Sequence, residues 1–152
     1  MTQSPVSPEE AKRLLDDEEY AYLDVRSVPE FGAGHPPGAY NIPLMNAGSG
    51  GMKANPHFVE VASRTFDKDA KLVVGCKMGG RSKRAVEALT AAGFTHVVDC
   101  GAGFEGKTDP FGKVQQPGWR VVGLPVATTP EQGHDYASLA EAAGVSEPGD
   151  GG

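Results

Sequence analysis

The chain has only two cysteines, Cys76 and Cys100, among its 152 residues, too few for the disulfide framework that staples small secreted domains. Reduced thiols in a reducing compartment are the simpler reading. No apolar run approaches the roughly 18 to 20 residues needed to span a bilayer. The opening stretch Met1–Glu10 is polar and acidic and lacks the basic and apolar regions of a signal peptide. The expectation is a soluble cytoplasmic protein with no membrane partner, or an organellar one if a targeting segment has been removed. Lys and Arg are absent beyond Arg120, so the five acids Glu131, Asp135, Glu141, Glu147 and Asp150 give residues 121–152 a charge of −5 out of the total of −6. The rest of the chain is therefore nearly balanced. Between Lys71 and Arg84 it is locally basic, with Lys71, Lys77, Arg81, Lys83 and Arg84 and no acid among them. This run is short and carries no interleaved aromatics, which argues against a nucleic-acid partner.

What is present fits one α/β domain. The hydrophobic fraction of 39% is enough for a modest core at this length. Ser7-Pro8-Glu9-Glu10 has the cap, first-turn proline and third-position Glu of a helix start, and the helix should run to about Asp17. Tyr20–Val25 and Lys71–Gly75 are short, continuous apolar runs that suit buried strands. Ala39–Ile42 and His96–Asp99 add two more. His57–Phe66 and Ser82–Ala92 have helical patterns, the second stopped by Gly93. Val28–Pro37 reads as a turn region, Gly48–Gly51 as flexible and Val121–Pro125 as one more extended segment. Strands alternating with helices, and too apolar to be half exposed, predict a central parallel sheet flanked by helices on both faces. Residues 1–126 are expected to form the domain. Residues 127–152, acidic and rich in Gly and Ala, are expected to be a mobile tail with at most a brief helix over Tyr136–Ala143.

The chemistry concentrates at Cys76-Lys77-Met78-Gly79-Gly80-Arg81-Ser82. Cys76 follows a buried strand and precedes a helix, which places it at the C-terminal edge of the sheet, where open α/β folds bind ligands. Gly79 and Gly80 allow the backbone to curl so that successive N–H groups face inward, and the helix start adds partial positive charge. Such a cradle favours a thiolate and holds an anion. A cysteine that merely filled the core would have no use for two glycines, an arginine and a helix start within six positions. A Gly-rich turn without a Lys-Ser/Thr ending is weak evidence for a nucleotide.

Three motifs in order carry a resemblance. Tyr22-Leu23-Asp24-Val25-Arg26, then Glu30-Phe31 with Gly34-His35-Pro36-Pro37-Gly38-Ala39-Tyr40-Asn41-Ile42-Pro43, then Cys76–Ser82 resemble the rhodanese homology domain, the single-domain thiosulfate sulfurtransferases, over about residues 7–125. Gly93-Phe94, Gly101–Gly103 and Trp119 fit its later part. The sequence departs from the pattern at Pro36, where an aliphatic residue is usual, and over Asp109–Pro117, which is longer and richer in Pro and Gly. The resemblance implies a rhodanese-like fold and a ping-pong transfer of sulfane sulfur through a persulfide on Cys76, with no metal or organic cofactor. The donor would be a small anion such as thiosulfate, and the acceptor cyanide, a thiol or a protein. Lys77 and Arg81 would orient the donor, and Asp24, Arg26 and His35 would brace the surrounding loops. His57 and His134 lack metal-ligand spacing. Trp119 either walls the pocket or packs the last loop.

Two rivals follow from the same resemblance. Cell-cycle phosphatases and some arsenate reductases share the fold but have five residues between Cys and Arg, whereas Cys76 and Arg81 have four between them. One residue fewer shortens the loop by about 3.5 Å of contour. Rhodanese-like domains also serve as binding modules or as persulfide relays docked to a partner, and a relay would keep the whole loop. Cys100, at the end of the strand beside Asp99, either fills the strand end or links to Cys76 on oxidation. The latter requires Cα atoms within about 7 Å.

Overall fold

The structure is a computed structural model and describes residues 5–48, 51–77 and 80–145. Met78 and Gly79 of the predicted loop, and residues 146–152 of the predicted tail, lie outside them.

Helix α1 (Pro8–Asp17) starts as the sequence implies. The Ser7 hydroxyl oxygen accepts the Glu10 N–H at 3.1 Å and Pro8 occupies the first turn, while Ala11 and Leu14 supply the buried face. Strand β1 (Ala21–Asp24) follows. The predicted turn region then contains a short helix, α2 (Val28–Ala33), whose start is held by the Glu30 carboxylate accepting both the N–H and the hydroxyl of Ser27. Next come β2 (Tyr40–Asn41) and the antiparallel pair β3 (Met45–Gly48) and β4 (Gly51–Ala54), at the ends of the Gly48–Gly51 segment expected to be flexible, of which residues 49 and 50 lie outside the described residues. They are followed by α3 (Phe58–Thr65), β5 (Lys71–Gly75), α4 (Gly80–Ala91) and β6 (His96–Asp99). A hairpin, β7 (Gly106–Thr108) and β8 (Val114–Pro117), precedes α5 (Tyr136–Ala142). Val121–Pro125 forms no strand and belongs to turns after β8.

The central sheet is parallel, in the order β2-β1-β5-β6. Its middle strand β5 presents Leu72, Val73 and Val74, all fully buried, because helices cover both faces. This is why the run is continuous rather than alternating. On one face α3, α4 and α5 pack over Leu23, Leu72 and Val74. On the other, α1 packs with Tyr22, Val73, Val98, Phe104 and Trp119. Trp119 packs in this layer and lines a cavity with Tyr20, Tyr22 and Pro125 that does not include Cys76. It meets Tyr22 edge to face at 5.6 Å and donates its indole N–H to the Pro125 carbonyl at 2.7 Å.

Within the expected mobile tail, the stretch from Tyr136 to Val145 instead packs into the core. The brief helix is there as α5, and Tyr136, Leu139, Ala140, Ala143 and Val145 are buried with the α3–α4 face. The Tyr136 hydroxyl accepts the side-chain N–H of Asn55 at 3.1 Å, and His35 exchanges backbone hydrogen bonds with Ala127. Small residues and a few well-spaced apolar ones suffice because this helix needs only one narrow stripe.

Candidate active site

All four strands end at the same edge, and β5 lies between β1 and β6. The residue after β5, Cys76, thus emerges at the middle of that edge, flanked by the ends of β1 (Asp24) and β6 (Asp99). Its side chain is 1% exposed and packs with Leu72 and Val74 on the α3–α4 face. The helix predicted to begin at Ser82 begins at Gly80, which puts Ser82 in the first turn. Its backbone N–H donates to Cys76 Sγ at 3.3 Å. A first-turn N–H has no partner within its own helix, so it is available to a sulfur anion and carries the dipole's positive end.

The floor of the loop is fixed from behind. The carbonyls of Cys76 and Lys77 accept the N–H groups of Phe104 and Glu105 at 2.7 and 2.9 Å. Gly103, at φ +70°, makes this approach feasible, since a Cβ there would lie 2.5 Å from the Cys76 oxygen and 2.6 Å from that of Lys77.

Arg81 does not point into solvent. Its guanidinium grips the Glu30 carboxylate through two bonds of 2.7 and 3.0 Å, tying the start of α4 to α2. Partial burial alone would raise the Glu30 pKa, but Arg81 and the Ser27 N–H and hydroxyl outweigh it and hold it down at about 2. Lys77 is exposed beside the loop. Asp24 and Arg26 form a buried pair with contacts of 2.7 to 3.1 Å, and the Arg26 Nη2 that binds Asp24 also donates to the Gly34 carbonyl at 2.6 Å while the guanidinium lies 4.4 Å above the Phe104 ring. His35 is fully buried, stacked on Phe31 at 3.9 Å, with Nδ1 2.8 Å from the Phe31 carbonyl. These three residues hold loops around the site.

Two neighbours, Glu30 and Asp99, were given no role at the site by the sequence reading. Glu30 could have been found from Ser27-x-x-Glu30, a helix-start signature. Asp99 closes β6 as Asp24 closes β1. It is buried, receives a Ser82 side-chain hydrogen bond and has its pKa raised chiefly by that burial. Cys100 directly follows β6, the strand next to β5, as the disulfide idea required, but its side chain enters the opposite layer with Tyr22 and Val98. Burial foremost, with the Asp99 and Cys76 charges adding, pushes its thiol up to about 12. His57 pairs with Glu60, and His134 stacks on Tyr40. Among the described residues no cluster of His, Cys, Asp and Glu is placed to hold a metal, and no helix is long and apolar enough to cross a membrane.

A family model described as the rhodanese-like domain matches residues 7–108. The chain belongs to that family. Thiosulfate sulfurtransferase 16, chloroplastic, of Arabidopsis thaliana is 47% identical over 85 residues, which cover 56% of this chain and 71% of that protein. Thiosulfate sulfurtransferase 18 of the same plant is 38% identical over 101 residues, covering 65% and 74%. Other relatives are matched over little more than half their length, such as the Raphanus sativus senescence-associated protein DIN1 at 53%. Among solved structures, Rv0390 from M. tuberculosis superimposes with a TM-score of 0.70 at 27% identity, over 85% of this chain and all of that one. The human single-domain sulfurtransferase TSTD1 shares the fold, with a TM-score of 0.53 at 24% identity over 67% of this chain and 92% of that one. Sequence and structure thus agree on a rhodanese-like α/β fold and place the chain in a sulfurtransferase family.

Proposed function

We propose that this protein is a thiosulfate sulfurtransferase that carries sulfur on Cys76. The observation that supports this reading most is the Ser82 N–H directed at Cys76 Sγ from the first turn of α4. In the first half-reaction the Cys76 thiolate attacks the outer sulfur of thiosulfate. The S–S bond to the sulfonate breaks, its electron pair leaves with sulfite, and Cys76 keeps the outer sulfur as a persulfide. In the second half-reaction cyanide or a thiolate attacks that terminal sulfur, the bond to Cys76 Sγ breaks, and the pair returns to Cys76 as thiolate. Both halves are displacements at sulfur, so no metal or organic cofactor is required. Charge remains on sulfur throughout, and a donor already aimed at Sγ stabilises it with no reorganisation.

The roles of the other residues follow from their placement. Arg81 holds the start of α4 through Glu30 and adds positive charge near the donor. Lys77, exposed at the rim, attracts an anionic donor. Asp24, Arg26 and His35 keep the loops around the cleft in place. Four residues between Cys76 and Arg81 favour sulfur over the tetrahedral phosphate or arsenate of the longer-looped enzymes. The test is steady-state thiocyanate formation from thiosulfate and cyanide. The native protein should turn over with ping-pong kinetics and Cys76→Ser should not, while aryl phosphate hydrolysis faster than sulfur transfer would overturn the reading.

A further inference from the structure

Asp99 pairs in register with Val74 across the β5–β6 ladder, and Cys76 lies two residues beyond Val74. The backbone at Asp99 is held from both sides of its strand. Its carbonyl accepts the Val6 N–H at 2.8 Å on the outer side of β6, and the following N–H, that of Cys100, donates to the Val74 carbonyl at 2.8 Å. The Asp99 side chain is buried and hydrogen-bonds the Ser82 side chain in the first turn of α4. Ser82 is itself fully buried, and its backbone N–H is the group that faces Cys76 Sγ at 3.3 Å. One residue thus joins the fixed end of β6 to the reacting sulfur. The turn that carries it is tied from two directions, because Arg81 grips Glu30 of α2 while Ser82 grips Asp99 of β6.

A carboxylate is an expensive choice for this task. An Asn could accept the same hydroxyl without taking a charge out of water. One oxygen of the group, Asp99 Oδ1, is buried with no hydrogen-bond partner among the described residues, a feature that calls for a reason. Lys83 and Lys107 are exposed and form no salt bridge with it among those residues. What the charge supplies is directional strength. An ionised carboxylate only accepts, so the Ser82 hydroxyl must donate to it, and a charge-assisted bond is roughly twice as strong as a neutral one.

We propose that Asp99 is a positioning residue for sulfur transfer, which by holding the Ser82 hydroxyl fixes the first turn of α4 against β6 and keeps the Ser82 N–H aimed at the sulfur of Cys76. The inference rests on the Cys76 persulfide proposed above. Asp99 acts through Ser82 and on no reacting atom. Misplacing an aligned group by about 1 Å costs on the order of a hundredfold in rate. Releasing one of the two ties, with Arg81–Glu30 kept, should cost about tenfold.

The experiment follows the mass gain of one sulfur atom after rapid mixing with thiosulfate and acid quench, which gives the maximal loading rate and the half-saturating concentration. It compares the native protein with Asp99→Ala, Asp99→Asn, Ser82→Ala, and Ser82→Ala combined with each Asp99 variant. Asp99→Ala should lower the maximal rate about tenfold and leave the half-saturating concentration within about twofold. Asp99→Asn, which keeps an acceptor but not the charge, should lose about threefold. Neither Asp99 variant should slow the Ser82→Ala protein by more than about twofold, since the connection is already cut. If Asp99→Ala does not fold, Asp99→Asn with and without Ser82→Ala makes the same comparison. A native loading rate in Asp99→Asn, an equal further loss in the Ser82→Ala background, or a loss confined to the half-saturating concentration would overturn the positioning role. No mass gain in the native protein would instead remove the persulfide reading itself.

Discussion

The backbone N–H of Ser82 points at the sulfur of Cys76 from 3.3 Å, six residues away along the chain and directly across the loop that joins β5 to α4. The loop length and the register of α4 set that contact together. A glycine inserted between Gly80 and Arg81 shifts the register. Sulfur transfer should then fall by about a hundredfold, the usual effect of losing one aligned donor, while thermal unfolding changes little. Unchanged turnover would show that the donor is not engaged.

Gly103→Ala tests the floor of the loop. A methyl group there meets the Cys76 and Lys77 carbonyls at 2.5 and 2.6 Å and φ is +70°, so about 1 to 3 kcal/mol of strain is expected, read as a lower denaturation midpoint. Turnover should fall as well, because relief moves the Cys76 backbone.

The Arg81–Glu30 pair predicts a pH dependence. Its folded pKa of about 2 lies below the unfolded value of 4.5, so this stabilisation is complete above about pH 5 and is lost as pH falls through 4 toward 2. Glu30→Gln should flatten that part of the stability profile in acid titrations followed by circular dichroism. An identical acid limb in the variant would contradict the pairing.

Cys100 should behave as packing. Its thiol is displaced to about 12 and faces the layer opposite to Cys76, so mild oxidation followed by peptide mapping should modify Cys76 and leave Cys100 free. A Cys76–Cys100 link would require the sheet edge to rearrange.

Helix α5 should matter to stability. Leu139 is buried among α3–α4 residues, and Leu139→Ala should cost about 2 to 5 kcal/mol in chemical denaturation. A shift near zero would mean that residues 127–145 are as loose as their composition implies.

The parallel sheet and the position of Cys76 were legible in the sequence because continuous apolar runs such as Leu72-Val73-Val74 arise only where both faces are covered, and a cysteine between such a run and a helix has one place to go. The parts that were not legible depend on long-range partners. Tyr136 and Leu139 read as sparse apolar residues in an acidic tail, and only the groove beside α3 makes them core. Arg81 read as a donor ligand, since no local signal linked it to Glu30, 51 residues earlier. The two antiparallel pairs escaped because Gly48–Gly51 and Asp109–Pro117 show turn chemistry without the alternating apolar pattern of strands.

The most direct test of the Cys76 persulfide is the intact mass of the native protein after brief exposure to thiosulfate. The account predicts a gain equal to one sulfur atom, removed by cyanide and absent from Cys76→Ser. No gain in the native protein, or the same gain in Cys76→Ser, would contradict it.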